Sequence, residues 1–183
     1  MAKTSGVSPP TASAESDKKA EIAAVRLLAR REHGTLELKR KLAAKGHELD
    51  TVERVVDKLI AKKLVSDERF VSSFVHHHAR RGQGPVRIRV ELRQQGIDDA
   101  QIQDELASAS VNWASVAIDV RRRKFGLQVP TSPAVRAKQA RFLQYRGFTA
   151  DQIRVALQAQ EGEGEGQHDA DPSSDRVDND WPD

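Results

Sequence analysis

The sequence predicts an all-α protein built from three tandem three-helix repeats, forming an elongated or curved modular stack with disordered termini. Three observations carry that prediction. A leucine is followed four residues later by a glycine at Leu42–Gly46, Leu92–Gly96 and Leu143–Gly147, at nearly constant spacing along 183 residues. Self-similarity at a fixed period of this order marks a repeat architecture. Apolar residues recur at helical spacing around each of these pairs. The composition is rich in charge (31%) and poor in aromatics (4%), which suits thin helical modules better than one large core.

Repeat one is read as residues 20–64, repeat two as 65–111 and repeat three as 112–160. A disordered N-terminal tail (1–19) and an acidic disordered tail (161–183) flank them. The first helix of repeat one runs from about Ala20 to His33, with Ile22, Val25, Leu28 and Ala29 facing inward. In repeat two Ser66 caps the helix, and Asp67 and Glu68 sit in the first turn, where the helix dipole favours negative charge. Phe70, Val71, Phe74 and Val75 form its buried stripe. In repeat three the stripe is Trp113, Val116, Ala117 and Val120.

The second helices start at Gly34-Thr35, Gly84-Pro85 and Ser132-Pro133. Proline fits the first helical turn, where an N–H has no partner to lose. Leu38/Leu42, Ile88/Leu92 and Val135/Phe142/Leu143 supply the apolar stripes, and each helix ends at its repeated glycine. Val86, Ile88, Val90 and Leu92 alternate as a strand would. Ile88 and Leu92 also satisfy helical spacing, however, and both counterpart segments are helical, so this segment is read as helix. Third helices open at Thr51, Asp98 and Thr149, with Gln101 and Gln152 completing capping boxes. Asp50 with Glu53 forms an earlier box in repeat one. The glycine-to-cap distance is then five residues in repeat one and two in the others, an insertion placed in a turn. Val55/Leu59, Ile102/Leu106 and Ile153/Leu157 are the anchors.

The absence of cysteine excludes a disulfide framework, a thiolate metal site and a catalytic thiol. No apolar stretch approaches the ~18 residues that span a bilayer, and the first residues lack the apolar segment of a secretory signal. A cytoplasmic protein is expected. His76-His77-His78 point about 100° apart around a helix and cannot share one metal ion. They read as a partly exposed face that gains charge at mildly acidic pH. Gly82-Gln83-Gly84 is too short for a phosphate loop and precedes a proline. No catalytic frame is recognisable, so no enzyme activity, cofactor or metal is expected.

Charge is the remaining signal. Residues 161–183 hold nine acidic and one basic side chain, while residues 1–160 hold 29 basic and 18 acidic. A basic body of this size suits an anionic partner, nucleic acid above all. The candidate contacts are Lys39 and Arg40 in repeat one and Arg80, Arg81, Arg87, Arg89 and Arg93 in repeat two. Repeat three adds Arg121, Arg122, Arg123, Lys124, Lys138, Arg141 and Arg146. Stacked modules would align them into a discontinuous stripe for phosphates. Phe125 and Phe148 are expected in the core, and Tyr145 is open to stacking on bases. The acidic tail has two readings: it folds back on the basic face and competes with a polyanion, or it serves only as a solubilising tail.

Leu64-Val65-Ser66-Asp67-Glu68-Arg69-Phe70, Gly84-Pro85, Glu91-Leu92-Arg93-Gln94-Gln95-Gly96-Ile97 and Arg141-Phe142-Leu143-Gln144-Tyr145-Arg146-Gly147-Phe148 together carry a resemblance. In order and spacing, roughly residues 20–160 resemble the RecX family of regulators of the RecA recombinase. The resemblance implies tandem three-helix repeats; a monomer is expected. It also implies a non-enzymatic inhibitor that binds the RecA–DNA filament and limits its recombinase, ATPase and coprotease activities in DNA repair and the SOS response. Direct contact with single- or double-stranded DNA would be weak and independent of sequence. The histidine triplet stands where the family pattern would put arginines, and the acidic tail lies outside the shared pattern. The alternative reading is a helix-turn-helix-like DNA-binding regulator.

Overall fold

The computed structural model describes residues 10–159; expectations for residues 1–9 and 160–183 lie outside the described residues. Among the described residues there are nine α-helices and no strand. The first repeat holds α1 (Pro10–Leu28), α2 (Thr35–Ala44) and α3 (Leu49–Ala61). The second holds α4 (Asp67–Arg80), α5 (Pro85–Gln94) and α6 (Asp99–Ser108). The third holds α7 (Trp113–Phe125), α8 (Pro133–Tyr145) and α9 (Ala150–Gln158). No described helix is long and apolar enough to cross a membrane.

Each repeat closes its own core. Leu38, Leu42, Val52, Val56 and Leu59 fill the first, Phe70, Phe74, Ile88, Leu92 and Ile102 the second, and Ala117, Val120, Leu143, Phe148 and Ala156 the third. The alternating run at 86–92 is helical, as its i,i+4 pair requires.

The repeated leucine and glycine have one backbone cause. Gly46, Gly96 and Gly147 have φ of +88°, +78° and +88°. In each, the glycine N–H reaches the carbonyl three residues back, and the next N–H reaches the leucine carbonyl, as in His47 to Leu42, Ile97 to Leu92 and Phe148 to Leu143. This is the helix-ending motif in which a left-handed residue satisfies two orphan carbonyls. It sets the leucine and glycine four apart, and Ile97 and Phe148 then pack beside Leu92 and Leu143.

Four expectations need correction. Helix α1 starts at Pro10 and ends at Leu28, not Ala20 to His33, so residues 10–19 are helical. Its added turns are held by Arg54 of α3, which bonds Asp17 at 2.7 Å and Ser13 at 3.3 Å. The phase of α1 also differs. Ala20 and Ala24 are buried, whereas Ile22 and Val25 are each 46% exposed. Alanines let α1 approach α3 closely, and Glu21 locks that rotation by bonding Lys58 and Lys62 at 2.7 and 3.0 Å.

Helix α3 starts at Leu49 with Glu48 at its N-cap, not at Thr51. The glycine-to-cap distance is therefore two residues in all three repeats, and there is no insertion. Val52 and Val56, not Val55 and Leu59, correspond to Ile102 and Leu106. In α8, Val135 is 45% exposed, and the buried position of that stripe is Gln139. Ser66 accepts from Arg69 N–H and Thr149 with Gln152 forms a full capping box, as expected; Asp98 caps α6 by accepting from Ala100 N–H, without the expected box to Gln101.

Successive repeats join by a common device. The start of one second helix docks on the glycine that ends the next second helix. At the first junction Leu36 of α2 covers Gly96, and Arg40 bonds the Gln94 carbonyl at 3.2 Å. The Thr35 N–H also donates to Asp67 Oδ1 at 2.7 Å. At the second junction the Gly84 N–H donates to the Arg146 carbonyl at 2.8 Å and the Val86 N–H to the Gly147 carbonyl at 3.0 Å. A Cβ on Gly84 would lie 2.3 Å from the Gly147 carbonyl atoms, so only glycine permits this approach.

Candidate nucleic-acid and partner interface

The second junction gathers the arginines that the sequence scatters. Helices α4 and α7 end side by side: a Cβ on Gly82 would sit 2.5 Å from Val120 Cγ2 and 3.7 Å from Arg123 Nη2. Arg80 and Arg81 at the end of α4 are exposed, as are Arg123 and Lys124 at the end of α7. Arg146 crosses from repeat three to donate to the Arg81 carbonyl at 3.4 Å, its guanidinium 5.5 Å from the Phe142 ring centre. A cleft of about 340 Å³ opens between α4 and α7, with Arg80 and Arg123 on its walls and Asp119, Asn112 and Ser115 on the α7 side.

The other candidates divide by their partners. Arg87 is held by Glu91 at 2.6 Å, and Arg93 by Asp99 through two bonds. Arg89 reaches Gln103 at 3.4 Å and lies 4.0 Å from Asp99. Lys39 and Arg122 are half-buried, while Lys138 and Arg141 are exposed on α8. Tyr145 is 78% exposed, whereas Phe148 is in the core and Phe125 packs edge-on against Phe142.

Arg121 does not belong to the surface. It is fully buried and donates to the carbonyls of Gln128 at 2.8 Å and Leu127 at 3.3 Å, tying the α7–α8 connection to its helix. Burial, then neighbouring Arg122, disfavours its charge. The long connection needs a donor for its inward carbonyls, and Arg121 supplies it.

The histidine triplet is also more structural than the sequence suggests. His76 is exposed, His77 half-buried and His78 buried, stacked on Phe74 with ring centres 3.9 Å apart. Burial lowers His77 to about 4, helped by His78, Arg81, Arg80 and Arg31. Burial also lowers His78, against the opposing pull of Gln83 and Glu91. His77 therefore stays neutral at mildly acidic pH and adds no positive charge there.

One buried cluster had no expectation attached. Arg31 grips Glu37 at 2.6 and 3.1 Å, with Lys41 at 3.3 Å from the same carboxylate. Burial opposes the Glu37 charge, but the Arg31 fork outweighs it and lowers the carboxyl below its usual range. The signal available in the sequence was the i,i+4 pair Glu37–Lys41. Its burial depends on where the chain turns after α1, which the overlong reading of that helix obscured.

Every basic side chain on the third helices α3, α6 and α9 has a carboxylate partner: Arg54 with Asp17, Lys58 with Glu21, and Arg154 with Asp151 at 2.8 Å. A recognition helix would need such cations turned toward bases.

The fold and site define a class: a tandem array of three-helix modules with exposed cations gathered at an inter-module junction. Residues 20–59, 66–106 and 114–157 match, in order, the first, second and third three-helix domains of RecX. The chain is 48% identical over 143 residues to a regulatory protein RecX of Halorhodospira halophila, covering 78% of this chain and 89% of that one. It is 46% identical over 134 residues to regulatory protein RecX of Pseudomonas fluorescens, covering 73% and 86%. The crystal structure of RecX from Lactobacillus salivarius shares the fold with a TM-score of 0.65 at 22% identity, covering 79% of this chain and 96% of that one. The chain belongs to the RecX family.

Proposed function

We propose that this chain is a cytoplasmic, monomeric, non-enzymatic modulator of the RecA recombinase. It binds the RecA–DNA filament and limits recombinase, ATPase and coprotease activities in DNA repair and the SOS response. Membership of a family of named regulatory proteins supports the class of activity. The observation that carries the reading here is the junction where Arg80, Arg81, Arg123 and Lys124 are exposed together, two repeats contributing to one anionic-partner surface. Such a surface follows a phosphate backbone without reading bases. The scarcity of basic side chains on the third helices, two on α3, none on α6 and one on α9, speaks against the helix-turn-helix alternative.

The test is RecA-driven ATP hydrolysis on single-stranded DNA with the protein added below stoichiometric amounts. Inhibition is expected, and the double variant Arg123→Glu, Lys124→Glu should abolish most of it while keeping the helical content unchanged. Absence of inhibition at every ratio would refute the reading.

A further inference from the structure

The three repeats are not equivalent along the seam between their second and third helices. In repeat two, Arg89 and Arg93 of α5 reach across to Gln103 and Asp99 of α6 and roof the seam. Counted from the repeated leucine and glycine, the corresponding residues of repeat three are Ala140, Gln144, Arg154 and Ala150. The roof is gone. In its place a groove of about 410 Å³ runs between α8 and α9, floored by Phe148, Ile153 and Leu157 and flanked by Arg136 and Arg154. Among the described residues the Arg136 side chain has one hydrogen bond, to the Pro130 carbonyl at 3.5 Å, and Arg154 pairs with Asp151 where both are well exposed, a pairing worth little in water.

We infer that this groove is the docking site of the chain's own acidic segment, residues 161–183, with Trp181 on the apolar floor and the neighbouring carboxylates against Arg136 and Arg154. Three facts favour this occupant. The segment holds nine acidic side chains and one basic, and its one large aromatic, Trp181, is flanked by Asp180 and Asp183. It follows α9, which forms one wall of the groove, so it starts at the site. Any chain of 23 residues can reach the groove: even at random-coil dimensions its root-mean-square span is roughly 25 Å, against about 13 Å for the whole of α9. Tethering also places it near the groove at millimolar effective concentration, so an intrinsic affinity of about 1 mM keeps the groove at least half occupied. The docked segment covers Arg136 and Arg154 and adds negative charge to the third repeat.

The experiment follows Trp181 in the full chain by the difference in emission between the protein and its Trp181→Phe variant, with acrylamide as quencher. The reference is a peptide of residues 161–183. Trp181 in the chain should be quenched at least about twofold less efficiently than in the peptide. Protection should be lost in Ala140→Arg, which refills the groove as repeat two does, and in Arg136→Glu with Arg154→Glu. Both variants alter exposed or half-exposed positions, and unchanged Trp113 emission verifies the fold. Quenching equal to that of the peptide overturns the inference, as does protection that survives both variants. Protection that appears only as protein concentration rises assigns the segment to a second copy and overturns it as well.

Discussion

Gly84 carries no backbone reason to be glycine, since its φ of −88° suits any residue. Its replacement by alanine therefore isolates the junction between repeats two and three. The new Cβ would meet Gly147 carbonyl C and O at 2.3 Å and Phe148 N at 2.5 Å, all backbone atoms that cannot rotate away. Relief requires the repeats to separate, which breaks the Gly84 and Val86 N–H bonds to Arg146 and Gly147. At about 1 kcal/mol per bond, plus ~1–3 for buried groups left without partners, Gly84→Ala should destabilise by about 3 kcal/mol. Gly46→Ala is the control. It has the left-handed φ but nothing within 4 Å of a Cβ, so it should cost only about 1 kcal/mol of backbone strain. Gly147→Ala combines both effects, at about 4 kcal/mol. The double variant Gly84→Ala, Gly147→Ala should cost well under the sum, since one junction can be broken only once. Equilibrium urea unfolding followed by circular dichroism measures all four. A Gly84→Ala cost no larger than that of Gly46→Ala, or strict additivity in the double variant, would refute the reasoning.

Two other outcomes are expected. Arg121→Met should cost about 2 kcal/mol in urea unfolding by releasing two carbonyls, yet leave affinity for single-stranded DNA unchanged; a loss of affinity matching that of Arg123→Glu at undiminished stability would return Arg121 to the interface. His77 has its folded pKa lowered to about 4, so it favours the fold above its unfolded value near 6.5, and that contribution is lost as pH falls from about 6.5 through 4. Allowing for partial solvent access to the ring, the loss is about 2 kcal/mol, and His77→Gln should flatten this part of the stability–pH curve.

The helix count, the repeat and most caps were legible because each rests on local chemistry. A glycine four residues after a leucine closes a helix through two backbone bonds, and Ser66, Asp98 and Thr149 are strong capping types. Glu48 was not legible for the converse reason. It makes no side-chain cap bond, so its residue type carried no signal, and Thr51 looked better. Only the two-residue offset after the other glycines pointed to it. The inward face of α1 was misread because Ile22 and Val25 are more apolar than Ala20 and Ala24. That rotation packs Ala20 and Ala24 into the first core and sets Asp17 and Glu21 against cations of α3, partners thirty-odd residues away in sequence. Among the candidate contacts the sequence supplied charge without partners. Arg87, Arg93 and Arg121 read like Arg80 and Arg123 until carboxylates and carbonyls are placed around them.

The junction chemistry also sets the third second helix apart from the first two. Eight residues before each repeated leucine stands the residue that must let the next repeat approach: Gly34, Gly84 and then Val135. Gly34 leaves 3.0 Å between a built Cβ and the Phe70 ring, and Gly84 leaves 2.3 Å to Gly147. Val135 already carries the branched side chain that such contacts forbid, and it lies inside α8, which opens earlier at Pro133. Val135 therefore cannot reproduce the close contact that Gly34 and Gly84 make. At the opposite end Gly46 keeps the left-handed turn, and among the described residues nothing lies within 4 Å of a Cβ built on it. The two ends of the stack therefore differ in kind. One retains an unfilled copy of the junction socket, and the other has lost the residue that would fill a socket.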